Sequence, residues 1–191
     1  MSTLTADPKF ARGQVLGILW YAYDAQNGDG SKVIGSRATF LDQNPVTKKN
    51  LSNRTVDCIA VKNNSGSTLY AKQVVKFAAH DGASGTAQDL GLAYVSGLAS
   101  STDTLYGVVD EYLNASGVPN GEVFWLVVAG PSEVLKTTGT GKSVGANASL
   151  AISATAGSAE ATTGPLVGYA IKPAGVNDTS VRVQVSSPIR G

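Results

Sequence analysis

The chain is short of the side chains that carry out chemistry. Its 191 residues include one Cys, one His and one Met, and 15% are charged, against roughly 25% in typical soluble domains. A lone Cys excludes an internal disulfide framework, and one Cys with one His cannot supply a zinc site by themselves. We therefore expect a protein that holds something rather than an enzyme, with no cofactor, no metal and no catalytic residues.

Two patterns invite a catalytic or nucleotide-binding interpretation, and both fail. Residues 138–143 end in Gly-Lys-Ser, but a phosphate-binding loop needs Gly five places earlier, where Lys136 stands. The adjacent carboxylates Asp110 and Glu111 would point to opposite faces of a strand, whereas a glycosidase pair must face one cleft.

The only Cys and the only His are better explained structurally. Cys58 lies in the apolar run from Val56 to Val61, where a Cys usually behaves as a small buried hydrophobe. His80 precedes Asp81 and Gly82, a sequence typical of a strand that enters a turn.

Long hydrophobic runs are also missing. The apolar N-terminal segment from Val15 to Tyr23 has nine residues, too few to span a bilayer, and it lacks the cleavage site of a signal peptide. We expect synthesis in a bacterial cytoplasm and no membrane partner.

Charge is unevenly distributed although the net charge is +1. Residues 1–55 carry seven Lys and Arg against four Asp, whereas residues 77–135 carry seven acids and no base. Two interpretations remain open: the blocks neutralise each other on folding, or they meet complementary blocks on a neighbouring copy. No basic run interleaved with aromatics occurs, so a nucleic-acid partner is not expected.

What the chain has in abundance is the pattern of short strands. Runs rich in Val, Leu, Ile and Tyr alternate with loops of Gly, Ser, Asn and Asp, which predicts a mostly β fold, a small antiparallel β-barrel or sandwich with an extended N-terminal arm. The predicted strands are Cys58–Val61, Leu69–Phe77, Leu105–Leu113, Glu122–Ala129, Leu166–Ile171 and Ser180–Val185.

The domain organisation follows from where this pattern begins. Residues 1–55 show no persistent periodicity and are interpreted as an arm or extension with a possible hairpin, the alternative being an irregular subdomain that covers one end of a barrel. Residues 56–191 form a barrel-like body, possibly of two similar halves. A turn is expected at residues 132–136, after Pro131.

Aromatic residues indicate where contacts lie. Trp20, Tyr21 and Tyr23 cluster in the N-terminal segment, and Trp and Tyr contribute strongly to protein interfaces. Trp125, in the most apolar strand, is instead predicted to be a core residue.

Three segments resemble the head decoration, or cement, proteins of tailed bacteriophages. They are Ser52 to Asn63, Gly107 to Leu113, and Gly117 to Leu126. Gly130-Pro131 and Leu166 to Ala170 fit the same pattern. The resemblance covers most of the chain from Gly35 to Val185, and its motifs are structural.

The resemblance implies a structural virion protein on the outer surface of the capsid. Such proteins commonly form trimers, bridge subunits of the major capsid protein and stabilise the shell. We therefore expect the major capsid protein, other copies in a homotrimer and neighbouring trimers as partners. The alternatives are a receptor- or glycan-binding β-module of a fibre or adhesin, and an enzyme of unfamiliar type. The residues expected to make the contacts are Trp20, Tyr21, Tyr23, Lys48, Lys49 and Arg54.

Overall fold

A computed structural model describes residues 34–44, 47–78 and 94–188, and this part of the chain contains strands and turns but no helix. Consequently no helix in it is long and apolar enough to cross a membrane. The strands are β1 (Arg37–Gln43), β2 (Asn50–Asn63), β3 (Val74–Phe77), β4 (Tyr94–Leu98), β5 (Tyr106–Val109), β6 (Val123–Leu135), β7 (Ser149–Ile152), β8 (Ala159–Glu160), β9 (Leu166–Ala170) and β10 (Ser180–Ser186).

Five strands form a ring. β2, β4, β3, β5 and β6 follow one another, and β6 pairs back with β2. Successive side chains of a strand point to opposite faces, so alternate residues fill a hydrophobic core inside the ring. These residues include Ile59, Val61, Val75, Phe77, Val95, Val109, Phe124, Leu126 and Val128.

A second layer packs against the outside of this ring. β10 pairs with β6, and β9, β7 and β8 continue the sheet from there. The second hydrophobic core combines the outward-facing side chains of the ring with the inner side chains of these strands. Trp125 belongs to it and packs edge-on against Phe40 of β1, with ring centroids 5.3 Å apart. The prediction that Trp125 is a core residue is therefore confirmed.

The two longest strands, β2 and β6, are shared between the layers. The first part of β2 pairs with β1, and its second part pairs with β6 from Asp57 onward. Beyond Ala129, β6 pairs with β10 instead. At this crossing the backbones approach so closely that a Cβ on Gly130 would lie 2.2 Å from the carbonyl oxygen of Thr55.

The mostly β prediction is confirmed, with differences in detail. Residues 132–136 do not make a turn, because β6 continues through Pro131 to Leu135, paired with β10. Within Leu69–Phe77 only Val74–Phe77 is a strand, since Lys72 has a left-handed backbone (φ 71°). One pairing in the ring, β2 with β4, is parallel.

The N-terminal part of the described chain is more regular than its sequence suggested. Residues 37–43 and 50–55, which show no persistent periodicity, form a strand pair. The expected boundary between residues 55 and 56 lies within β2. The segment before residue 34 lies outside the described residues.

The crossing can be tested with two glycines of similar backbone conformation. Gly130 (φ +99°) contacts β2, whereas Gly121 (φ +92°) has no neighbouring atom within 4 Å of the point that a Cβ would occupy. We expect Gly121→Ala to cost about 1–2 kcal/mol, the penalty of the left-handed conformation. Gly130→Ala should cost a further ~1–3 kcal/mol from overpacking. Urea unfolding of both variants measures the difference, and equal losses would show that the crossing tolerates a methyl group.

Candidate interaction surface

The hairpin of β1 and β2 is bonded to β10 through Asp42 and Arg54. Its turn is closed by hydrogen bonds between Asn44 and both Lys48 and Lys49, and by the Gln43 side chain, whose Nε2 donates to the Lys48 carbonyl at 2.9 Å. Lys48 adopts a left-handed conformation (φ 57°). The hairpin is thus an ordered projection that ends in two exposed lysines.

Arg182 of β10 fastens this hairpin to the sheet. One arm of its guanidinium donates to Asp42 of β1, and the other donates to Glu111 at 2.5 Å. All three side chains are almost fully buried. The remaining Asp42 oxygen accepts a hydrogen bond from Ser52 Oγ at 2.7 Å. Nearby, Glu133 accepts one from Ser180 Oγ at 2.8 Å.

Burial and one shared guanidinium together determine the pKa values in this cluster. Burial raises the pKa of Glu111; Arg182 lowers it, but Glu133 raises it again, and the net shift is upward. Burial lowers the pKa of Arg182, but Glu111 and Asp42 outweigh burial, so that its pKa is raised. A raised pKa favours the charged form of Arg182 but disfavours the charged form of Glu111. The two groups differ in this way because one guanidinium is shared between two carboxylates. Arg182 is firmly charged, whereas Glu111 holds its charge at a cost.

Between the hairpin and the sheet lies a cavity of about 470 Å³, which we call the hairpin groove. Leu51 and Arg54 line it from the hairpin, Ile171 and Lys172 line it from the segment after β9, and Glu111 and Arg182 are the buried residues beneath. The Arg54 guanidinium also donates to the side chain of Gln184 on β10 at 2.8 Å. Both walls are therefore fixed to the same strand.

The rim of the hairpin groove is apolar and basic. Leu51 is 48% exposed and Ile171 is 37% exposed. Tyr169, two positions before Ile171 and 49% exposed, lies on the same face of the sheet. The exposed charges are the cations Arg54 and Lys172, with Lys48 and Lys49 at the hairpin turn.

A second, larger hollow of about 710 Å³ lies where β1, β2, β6 and β10 meet. Its lining is more polar, and Thr39 Oγ1 donates within it to Asp57 at 2.8 Å. None of the large exposed apolar side chains of the described residues lines this hollow. It offers a protein partner less apolar area than the hairpin groove does.

The described ion pairs neutralise part of the acidic block inside the chain. Glu111 of that block pairs with Arg182 of the basic C-terminal part, and Asp103 pairs with Lys76 at 3.4 Å. The pair of Lys142 with Glu160, at 2.5 Å, lies within the C-terminal part. Neutralisation on folding therefore accounts for Glu111 and Asp103, and contact with a neighbouring copy stays a prediction.

The six residues expected to make contacts fall into two groups. Trp20, Tyr21 and Tyr23 lie outside the described residues. Lys48, Lys49 and Arg54 all lie on the hairpin and are exposed, and Arg54 lines the groove.

Sequence reasoning missed Leu51, Tyr169, Ile171 and Lys172. Leu51 had a signal, because it is one of two aliphatic residues, with Val46, in the polar stretch from Asp42 to Arg54. Tyr169 and Ile171 had no such signal. They lie in the apolar run Leu166–Ile171, and composition does not distinguish the outer face of such a run from its inner face.

The remaining chemical candidates have structural roles. Cys58 is 1% exposed, and burial raises its pKa well above the usual value. Lys136 Nζ donates to the carbonyls of Thr137 and Lys142. Within residues 34–44, 47–78 and 94–188, no group of three His, Cys, Asp or Glu is placed to hold a metal ion. His80 lies outside these ranges.

Comparisons with known proteins give little. No protein-family model matches the chain, and no curated protein matches it. Among solved structures, the chain is similar to the head fiber gp8.5 N base of bacteriophage phi29, with a TM-score of 0.42 and 16% identity. The match covers 70% of this chain and 98% of that chain. A likeness this weak carries no argument about function.

The attachment of the hairpin can be tested by removing the guanidinium. Arg182→Met keeps the length of the side chain but leaves two buried carboxylates uncompensated, which should cost about 3–5 kcal/mol of unfolding free energy. Lys76→Met removes the more exposed pair with Asp103 and should cost less than about 1 kcal/mol. Urea denaturation measures both, and similar losses would contradict a special role for Arg182.

The pH dependence of stability should report on Glu111. Its folded-state pKa lies above the usual 4.5, so its contribution to stability is greatest below that pH and is lost as the pH rises through the raised value. Compared with Glu111→Gln, the wild-type protein should therefore lose stability between pH 4.5 and neutrality. Unfolding free energies of both proteins across this range test the sign, and parallel curves would contradict it.

Proposed function

We propose that the chain is a structural protein of a bacteriophage virion, and not an enzyme. In this proposal it binds the outer surface of the capsid and stabilises the shell by bridging subunits of the major capsid protein.

The observation that carries the proposal is the contrast between the chain's anions and its cations. Every carboxylate that the structure describes has an interaction within the chain, as Asp42, Glu111 and Glu160 illustrate. Lys48, Lys49 and Lys172 have no such partner among the described residues and are exposed. Together with the apolar rim of the hairpin groove, they form a surface suited to another protein.

The resemblance to decoration proteins supports the same interpretation. Its three segments are neighbours in the structure, since Ile59 pairs with Leu126, and Leu126 pairs with Val109. The residues that carry the resemblance therefore build one continuous part of the ring, from which the hairpin extends.

On a capsid lattice, weak individual contacts would be sufficient for stable binding of the protein. Repetition of one surface over many sites raises the overall binding far above that of a single contact, and closed symmetry favours small cyclic oligomers. We propose a homotrimer, with Trp20, Tyr21 and Tyr23 as further contacts to the capsid or to neighbouring trimers. The glycan-binding alternative requires exposed aromatics beside Asp or Asn in a groove. In the hairpin groove, Asp42 is engaged by Arg182, and the side chain of Asn44 accepts a hydrogen bond from the backbone N–H of Thr47.

The proposal is tested by light scattering and by co-sedimentation with expanded, undecorated heads of the phage that encodes the chain. We expect a trimer that pellets with expanded heads but not with immature shells, because the shell surface rearranges on expansion. A monomer that stays in the supernatant with both would contradict the proposal and favour the glycan-binding module.

A further inference from the structure

We propose that the hairpin groove is the capsid-binding site, and that it takes an apolar side chain flanked by carboxylates on an acidic surface of the capsid protein. This inference rests on the proposed function, since it names the surface and the chemistry of the partner. It differs from the sequence-based expectation, which placed the contact on aromatic residues of the N-terminal segment and on basic residues of the hairpin.

The apolar part of the argument is the position of Leu51 and Ile171. They come from opposite walls of a cavity of about 470 Å³, and both are substantially exposed. Each would bury further area around a side chain inserted between them, at roughly 25 cal/mol per Å² of apolar surface. Anchors of this kind, set in a pocket, commonly dominate the energy of an interface.

The charge expected of the partner follows from the depth at which acidic and basic side chains lie in the groove. Its buried carboxylates, Asp42 and Glu111, are engaged by Arg182. Its exposed charges are Arg54, which donates to the neutral amide of Gln184, and Lys172, which has no partner among the described residues. One half-buried carboxylate, Glu133, also lines the groove and accepts a hydrogen bond from Ser180 Oγ. The surface that a partner meets is therefore positive, although acids lie beneath it.

A second copy of this chain is a poor occupant, because the carboxylates of its described surface are already engaged. Asp57 accepts from Thr39, and Asp178 accepts from the backbone N–H of Gly175 at 2.7 Å. A copy could offer Lys172 only the oxygens of Asp57 and Asp178 that these bonds leave over. A partner with free surface carboxylates is not limited in this way.

The groove is also held in shape before binding. Arg182 joins β1 to β10, and Arg54 joins β2 to β10. On the other wall the Ile171 N–H donates to the Arg182 carbonyl at 2.8 Å, so neither wall has to be ordered by the partner. Fixing the walls in advance reduces the entropy lost on association.

The test compares groove variants with matched variants elsewhere. Ile171→Ser and Lys172→Glu alter the rim, whereas Leu105→Ser and Lys62→Glu make matched changes at an exposed position just before β5 and a half-exposed position of β2. The full-length proteins are titrated against expanded, undecorated heads at several NaCl concentrations. We expect each groove variant to bind about ten-fold more weakly or worse, and the matched variants to bind as the wild type does. The Lys172→Glu protein should also show a weaker dependence on salt.

The possible failures are distinguishable. If the wild-type chain does not bind heads, the proposed function is wrong, and the groove assignment is wrong with it. If the wild type binds and the groove variants bind equally well, the function stands and the groove proposal is overturned. If a groove variant changes the mass measured by light scattering, the groove is a contact between copies, which also overturns the proposal.

Discussion

The pairing of β2 with β6 is the constraint on which the rest of the structure depends. Both strands are long enough to serve two layers: each closes the ring with one part of its length and carries a further strand, β1 or β10, with the other. Because the two backbones nearly touch at Gly130, the relative position of those outer strands is set by the crossing. Alternate side chains of the same two strands fill both hydrophobic cores. A change at the crossing would therefore reach the ring, the second layer and the hairpin together.

The hairpin depends on this arrangement in a second way. A strand pair that projects from a sheet is marginal by itself, because two strands bury little apolar area. Here the crossing brings Asp42 within reach of Arg182, and the buried ion pair turns the hairpin into a fixed wall. Such a pair adds little net stability once its desolvation is counted, but its absence would leave charges uncompensated. Its main effect is to select one position of the hairpin, and that position creates the groove.

The sequence predicted the class of fold because strand runs and turn residues are local signals. Val123 to Ala129 and Ser180 to Val185 are strands close to where they were expected. It did not predict that β6 continues through Pro131. Pro lacks a backbone N–H and therefore usually indicates the end of a strand, but it can occupy a strand position where that donor is not needed. Nor did it predict the Asp42–Arg182 pair, whose members are 140 residues apart. Of the basic residues, Arg54 in the groove and the two lysines at the hairpin turn were expected from the sequence, whereas Lys172 was not. The apolar half was not, because exposure of Tyr169 and Ile171 depends on which face of a sheet is covered.

The distribution of charge follows from the same long-range pairings. A chain with nearly equal numbers of acidic and basic residues need not have a neutral surface. The surface is charged if more residues of one sign than of the other form bonds within the folded chain. In the described residues the acids are placed where they bond to Arg182, to lysines or to backbone N–H groups, whereas Lys48, Lys49 and Lys172 are left exposed. The net charge of +1 thus conceals a positive surface around an apolar groove. Electrostatic attraction to such a surface is screened by salt. The contribution from burial of Leu51 and Ile171 is not screened in this way. The two contributions should therefore separate in any partner that uses both, with the charges steering the encounter and the apolar contact holding the complex.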